Sequence, residues 1–182
     1  PNGVAVDNSG NVLVADTDNC TIRRIALDGT VSTVAGLAGV CGSVDGAGSV
    51  ARFSHPTGLA VDGDGTIFVA DRSNHTIRRI ALDGFVSTFA GSAGQPGSVD
   101  GRRLEARFAF PFSLTIDPGG NLYVADSSNH TIRRITLDGT VTTICGMAEQ
   151  RGAVDGPCAA AKFDHPSSLA FDAVGNLYVT ES

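Results

Sequence analysis

The sequence contains no tryptophan, a single methionine and two tyrosines among its 182 residues. Only 18% of the residues are charged, and 19 acidic residues against 13 basic ones give a formal net charge of −6. A surface that neutralises a nucleic-acid backbone requires clustered Lys and Arg in excess, so this balance argues against nucleic acid as a partner. No apolar run approaches the roughly 20 residues of a membrane helix, and we expect no membrane span in this segment.

The chain also has no charged-then-apolar leader at its start and no initiator methionine. We therefore expect it to be a piece of a longer protein. Its 42% apolar content is enough to bury a core. The 23 glycines favour many tight turns over long helices.

The most informative feature is an internal repeat with a constant step of 55 positions. The same residue types recur at this step, as the prolines Pro1, Pro56, Pro111 and Pro166 and the acids Asp16, Asp71, Asp126 and Glu181 show. The period divides the chain into units at 1–55, 56–110 and 111–165, followed by a partial unit at 166–182.

The second unit illustrates the strands that each unit predicts. Segments 59–61, 67–70, 76–81 and 86–90 are short and rich in β-branched or aromatic residues. Asp83-Gly84 indicates a two-residue type I′ hairpin between the third and fourth strands. The sequence therefore predicts an all-β fold of propeller blades, each with four antiparallel strands, as three full blades and the first two strands of a fourth.

The apolar pattern supports this architecture. Residues 67–70 are apolar without alternation, so both faces of that strand should be covered by neighbouring blades. A single unit would leave one apolar face in water and is not expected to fold alone. Segment 101–108 could form at most one or two helical turns.

The units resemble the NHL repeat, whose pattern NPxGLAVDxxGNLYVADxxNHxIRRI is close to PTGLAVDGDGTIFVADRSNHTIRRI in the second unit. The resemblance covers the whole chain, although Cys20 stands in the histidine position of the first unit. The long connectors, with GSVDG-like and ARF pieces, are similar to the extended NHL variant of bacterial and cell-surface proteins, including the teneurins. The resemblance implies a six-bladed ring, of which this chain supplies about half. The ring would then be completed by further chain or by a second copy.

The four cysteines are departures from the repeat. In an up-and-down blade, the loops that hold Cys20 and Cys41 emerge at the same end, and Cys145 and Cys158 are placed similarly, so two disulfides are plausible. The alternative of four free thiols stays open. Paired cysteines would indicate an oxidising compartment, which means an extracellular, cell-surface or periplasmic location.

Two groups of histidines require interpretation. His55 and His165 precede the repeat proline, where they could reach a central channel and hold a metal ion, although the equivalent residue before Pro111 is Phe110. His75 and His130 belong to the NHL motif and are expected to bond the backbone at a turn. We expect no cofactor.

Other polar motifs recur at the blade period and have structural explanations. Asn19, Asn74 and Asn129 lie in N-glycosylation sequons, which coincide with the NHL motif. One arginine of each Arg-Arg pair could bridge to an acid while the other meets solvent, and an RNA-binding stripe is the alternative. The connector acids Asp45, Asp100 and Asp155 are explained by Asp-Gly turns, because one acid per loop falls short of a calcium site.

Two classes of function follow from these observations. We expect a non-enzymatic binding or scaffold module that contacts proteins, or glycans, through its blade faces and edges, or that assembles with itself. The alternative is a six-bladed propeller enzyme, a metal-dependent lyase or hydrolase with channel histidines, similar to the amidating lyase. No catalytic set of residues is unique to one blade.

Overall fold

The computed structural model describes residues 1–181, which form four antiparallel sheets in succession along the chain. The first sheet contains β1 (Val4–Val6), β2 (Val12–Asp16), β3 (Thr21–Ile25) and β4 (Val31–Gly36). The second contains β5 (Gly46–Ala47), β6 (Pro56–Val61), β7 (Ile67–Asp71), β8 (Thr76–Ile80) and β9 (Phe85–Gly91). The third contains β10 (Gly101–Arg102), β11 (Pro111–Ile116), β12 (Leu122–Asp126), β13 (Thr131–Ile135) and β14 (Thr140–Cys145). The fourth contains β15 (Pro166–Phe171) and β16 (Leu177–Glu181).

The four main strands of each complete sheet form a meander in chain order, as the sequence predicts. In the second sheet Ile67 lies opposite both Val61 and Ile80, and Ile80 lies opposite Val86. These β-branched residues form cross-strand pairs on one face of the sheet. The prediction of three full blades and the first two strands of a fourth is confirmed.

The hairpin between β8 and β9 differs from the predicted type I′ turn. The Gly84 N–H donates to the Ala81 carbonyl, and the Ala81 N–H donates to the Phe85 carbonyl, which leaves a three-residue loop. Gly84 has φ of 80° and Asp83 has no positive φ. A type I′ turn needs positive φ at both central residues, so the left-handed Gly84 instead completes a bulge after a four-residue turn.

Two short strands, β5 and β10, were not predicted. β5 lies in the connector that follows the first sheet, yet it pairs with β9 at the outer edge of the second sheet. β10 pairs with β14 in the same way, so segment 101–108 begins as a strand and continues into a turn. The 55-residue units and the sheets are therefore offset, because each connector adds a strand to the blade that follows it.

The core is distributed between neighbouring sheets. Phe68, Phe108 and Ile135 are buried between the second and third sheets, and Leu13, Ile22 and Phe53 are buried between the first and second. Each such side chain contributes roughly 1.5–3 kcal/mol by leaving water. None of the helical segments in residues 1–181 has the length and apolar character needed to cross a bilayer.

Candidate functional site

A short 3-10 turn follows the second strand of each complete blade and ends in a left-handed residue. This residue is Cys20, His75 or His130, with φ between 56° and 60°. The turns place the NHL motif side chains at the joints between blades, where the candidate residues of the sequence meet.

A buried carboxylate organises each of the two complete joints. The Asn74 amide and the Arg78 guanidinium donate to Asp71 Oδ2 at 2.7 and 2.8 Å, and the Ser54 N–H donates to Oδ1 at 2.7 Å. Burial raises the pKa of Asp71 to about 6, while the Arg78 charge acts in the opposite direction. The carboxylate is thus ionised at neutral pH and joins three segments of chain. The third blade repeats the arrangement with Asp126, Asn129, Arg133 and the Ala109 N–H.

Arg78 extends this network to the preceding connector. Its Nη2 donates to the Asp45 carboxylate at 2.6 Å and to the Val44 carbonyl at 3.1 Å, while Nη1 also donates to the Arg52 carbonyl at 2.8 Å. The guanidinium carbon lies 5.2 Å from the ring centroid of Phe53. Arg78 and its equivalent Arg133 are fully buried. Neither side chain is available to a nucleic-acid phosphate.

The connector acids do more than form turns. Asp45 accepts hydrogen bonds from the Thr88 N–H and hydroxyl, both at 3.1 Å, in addition to its contact with Arg78. Asp100 does the same with Thr143 and Arg133. The explanation by Asp-Gly turns alone is therefore incomplete, because each carboxylate ties its connector to the next blade.

The sequon asparagines are mostly unsuited to carry glycans. The Asn74 side-chain nitrogen donates to the Gly42 carbonyl and to Asp71, both at 2.7 Å, and Asn129 makes the equivalent bonds. Both residues are buried, so a glycan on this nitrogen would remove the bonds and has no space. The burial and hydrogen bonds of Asn74 and Asn129 therefore argue against their use as glycosylation sites in the folded protein. Asn19 is exposed, and its glycosylation stays a prediction.

The structure contains two disulfides, Cys20–Cys41 and Cys145–Cys158, which are the pairs that the sequence suggested. Residues 1–181 contain no free cysteine. Cys20 takes the left-handed position that the motif histidine holds in the other blades. The first bridge therefore connects the turn of the first blade to the connector that leads to the second.

The motif histidines connect successive blades. His75 Nδ1 accepts the Phe110 N–H at 3.1 Å, and the two rings meet edge to face at 4.4 Å. His130 Nδ1 accepts the His165 N–H at 3.2 Å, with the rings at 4.5 Å. Each histidine thus bonds the backbone of the residue that immediately precedes the inner strand of the next blade.

His55 and His165 each precede an inner strand. These strands begin at Pro56 and Pro166, and the His165 N–H donates to His130 at the joint. Neither lines the groove between the inner strands. Their role in the channel of a complete ring stays a prediction.

One group of potential metal ligands occurs within residues 1–181. His130, Asp164 and His165 offer ligand atoms within 4.8 Å of one another. Asp164 Oδ1 is already engaged, however, because it contacts Arg151 Nε at 2.8 Å and His165 Nδ1 at 2.7 Å. His130 accepts through Nδ1, so its Nε2 keeps the proton, whereas a ligating histidine normally donates through its second nitrogen. The group fits a hydrogen-bonded joint better than a metal centre.

The inner strands β1, β6, β11 and β15 border a groove of about 640 Å³. In the described part of the chain its lining has no acidic, basic or histidine side chain and consists of Asn2, Gly3, Val4, Thr57, Gly58, Leu59, Ala60, Val61, Phe112, Ser113, Leu114, Thr115, Ile116, Ser167, Ser168 and Leu169. The groove can therefore offer apolar surface and hydroxyl groups to a ligand but no acid or base.

A cluster beside this groove was missed by the sequence reasoning. The Arg72 guanidinium carbon lies 5.2 Å from the ring centroid of Phe110 and 5.9 Å from that of Phe112. The equivalents of Arg72 in the other units are Thr17 and Ser127. The sequence did contain a signal for this cluster, because Arg72, Phe110 and Phe112 all differ from the equivalent residues of the other units.

Successive meander sheets with their inner strands around one groove define the blades of a β-propeller. The family model of the NHL repeat matches residues 1–25, 53–80 and 108–135. The chain belongs among the NHL-type β-propellers.

Curated relatives and solved structures agree with this assignment. The chain is 32% identical over 216 residues to NHL repeat-containing protein 2 of Homo sapiens, with all of this chain and 30% of that protein covered. It is 35% identical over 145 residues to Teneurin-m of Drosophila melanogaster, with 72% of this chain and 5% of that protein covered. The chain thus spans less than a third of either relative.

Two solved structures share the fold. A structural genomics protein of unknown function from Bacteroides thetaiotaomicron superposes with a TM-score of 0.83 at 27% identity, covering 99% of this chain and 44% of that one. Virginiamycin B lyase from Staphylococcus aureus superposes with a TM-score of 0.66 at 19% identity, covering 100% of this chain and 48% of that one. Such propellers therefore include an enzyme as well as proteins without an assigned activity.

Proposed function

We propose that this chain is part of a non-enzymatic binding or scaffold propeller that contacts other proteins outside the cell. The proposal rests on the observation that the polar side chains of the NHL motif hold the blades together. Asp71, Asn74 and Arg78 hold a blade to its connector, and their equivalents do the same in the third blade. The side chains with the most reactive chemistry are committed to the architecture, whereas the loops at the blade ends are free to meet a partner.

The two disulfides support an oxidising location. Bridges of this kind persist at cell surfaces, in secreted proteins and in the periplasm. The resemblance to teneurin-type NHL proteins is in keeping with the same placement.

Self-assembly is a second means of contact. Val4 is 67% exposed although its equivalent Leu59 is 7% exposed, and Val31 is 51% exposed although its equivalent Val86 is fully buried. The outer face of the first sheet is therefore an apolar surface of the kind that another blade covers elsewhere in this chain. A blade of the same polypeptide or of a second copy fits this surface.

A binding assay on intact cells tests the proposal. Fluorescently labelled protein should bind saturably to cells of its source, and protease treatment of the cells should remove the binding. Reduced and alkylated protein serves as the control. Loss of binding after glycosidase treatment instead of protease would identify a glycan partner. Absence of saturable binding, together with chelator-sensitive turnover of a substrate, would contradict the proposal and favour the metal-dependent lyase or hydrolase.

A further inference from the structure

Arg72 is a cation without an acidic partner. No salt bridge joins it to any carboxylate in residues 1–181, and its Nε is buried without a hydrogen-bond partner. By contrast, Arg78, six positions later, contacts both Asp45 and Asp71. The protein therefore maintains an uncompensated positive charge at the joint between the second and third blades.

The aromatic neighbours of Arg72 hold this charge in place. Phe110 and Phe112 lie at 5.2 and 5.9 Å from its guanidinium carbon, and Phe110 is itself packed edge to face against His75. An arginine stacked on aromatic rings keeps its in-plane N–H groups available for a planar anion. The ordering cost of an arginine that binds a ligand is reduced when the side chain is already fixed.

Phe112 connects this cation to the groove between the inner strands. Phe112, whose ring contacts Arg72, is among the residues that line the groove of about 640 Å³, whose size suits a small organic ligand. Ser113, Thr115 and Ser168 line the same groove, and their hydroxyls make no hydrogen bond to other protein groups in residues 1–181. A cation at the rim thus adjoins an aromatic wall and a set of free hydroxyl groups.

We propose that this cluster binds a small polyhydroxylated carboxylate of the uronic acid type. The carboxylate would contact Arg72, an apolar face of the sugar ring would lie on Phe112, and the hydroxyls would bond to Ser113, Thr115 and Ser168. A carboxylate suits the site better than a phosphate, because a single guanidinium offers one positive charge and the groove lining contributed by residues 1–181 adds no second cation. The inference is independent of the proposed scaffold role, since it concerns binding by the purified protein without cells.

Titration calorimetry with D-glucuronate and D-galacturonate tests the site in the full-length protein. Saturable binding of at least one acid is expected, and Arg72→Ser should weaken it by about tenfold or more, because a charge-assisted contact is lost. Phe112→Ser should also weaken binding. Both substitutions introduce a residue that an equivalent position already holds, Ser127 and Ser167, so the fold should tolerate them. Arg151→Ser removes an equal charge at the next joint and should leave the affinity unchanged.

Further probes separate the proposal from its alternatives. Glucose and acetate should bind much more weakly than the uronates, because each lacks half of the proposed contacts. Arg72→Lys keeps the charge without the planar fork and should restore only part of the affinity. Equal affinity in Arg72→Ser and the unmodified protein, or an absence of uronate binding in a folded protein, would overturn the proposal. Binding of an oligo-aspartate peptide in preference to the uronates would overturn it in favour of an acidic protein partner.

Discussion

Asp71 and Asp16 occupy equivalent positions but differ in their surroundings. Asp71 and Arg78 are both fully buried and meet at 2.8 Å, whereas Asp16 meets a partly exposed Arg23 at 3.4 Å. Removing one partner of a buried pair leaves an uncompensated charge, while an exposed pair is worth little because water replaces the lost contact. The two positions therefore form a matched comparison within one molecule.

We expect Asp71→Ala to lower the free energy of unfolding by about 3–5 kcal/mol. Asp16→Ala should lower it by about 1 kcal/mol or less. Urea denaturation of the two variants beside the unmodified protein measures the difference. Similar losses in both variants would show that burial of the pair does not set its energetic weight.

His75 should make stability depend on pH. Burial, and then the nearby Arg72 charge, lower the pKa of His75 below 6.5. The unfolded chain then binds more protons than the folded one near and below pH 6.5, so the contribution of His75 is present above this pH and is lost as the pH falls. Asp71 and Asp126 change the stability in the opposite direction. Because the pKa of each is raised to about 6, their contribution to stability falls as the pH rises from about 4 to 6.

Comparison with His75→Asn isolates the contribution of His75 to the pH dependence of stability. Asparagine tolerates the left-handed backbone and retains an acceptor oxygen, but it does not titrate. Denaturation between about pH 7.5 and pH 5 should show that acidification costs the unmodified protein more stability than the variant. A difference between the two proteins that does not change with pH would exclude this role of His75.

Side-chain roles were only partly predictable from sequence at this scale. Recurrence at the blade period indicated that Asp71 and Arg78 are structural, which the joints explain. The burial of Asn74 could not be read from a sequon, because the covering carbonyl of Gly42 lies 32 residues earlier in the chain. The position of Arg72 required knowledge that Phe110, 38 residues later in the chain, approaches it.

Among the elements, the connector strand β5 depends on very few contacts. It has two residues, Gly46 and Ala47, and neither favours a strand by itself. The adjacent Asp45 carboxylate supplies the bonds to Arg78 and Thr88 that fix its position. Asp155, the equivalent acid of the third connector, is exposed and has no hydrogen-bond partner in the described residues.

We expect Asp45→Ala to release this connector from the second blade. Hydrogen exchange at the Thr88 amide and across residues 42–52 should become faster, and stability should fall by roughly 1–3 kcal/mol. Asp155→Ala is the matched control and should change neither quantity. Unaltered exchange in Asp45→Ala would mean that the backbone bonds of β5 hold the connector without the carboxylate.

The long strands were predictable and the short ones were not. Segment 67–70 was expected from its uninterrupted apolar residues and is present as β7 (Ile67–Asp71). The β8–β9 loop was mispredicted because Leu82 belongs to the turn, which moves Gly84 from a central position to the bulge. Strands such as β5 carry no periodic signal, since they form only after the partner strand exists.

For the whole molecule, the disulfides close loops across the joints. Cys20–Cys41 links residues 21 positions apart, and Cys145–Cys158 links residues 13 positions apart. Loops of this length restrict the unfolded chain by an amount worth about 3 kcal/mol each. The first bridge stands where the other blades use a histidine.

We expect replacement of Cys20 and Cys41 by serine to lower the free energy of unfolding by about 3 kcal/mol. A second variant with Cys20→His and Cys41→Ser should lose less, because histidine can accept the His55 N–H as His75 accepts that of Phe110. Thermal and urea denaturation of both variants would show the order. Greater stability in the serine variant than in the histidine variant would contradict this exchange of roles.

The global arrangement was predictable because the period of 55 never slips. The lateral packing of blades followed from apolar strands such as 67–70, which require cover on two faces. The number of blades in the complete ring stays a prediction, since it depends on residues other than these.

The offset between repeat unit and blade bears on how such a chain can change in length over generations. Asp45 and Asp100 each tie their connector to the blade that follows it. Recombination that removes or duplicates one full period, at any breakpoint, restores a connector of the same kind before the next blade. The gene can thus gain or lose whole blades in one event while each remaining blade still receives a connector from the unit before it.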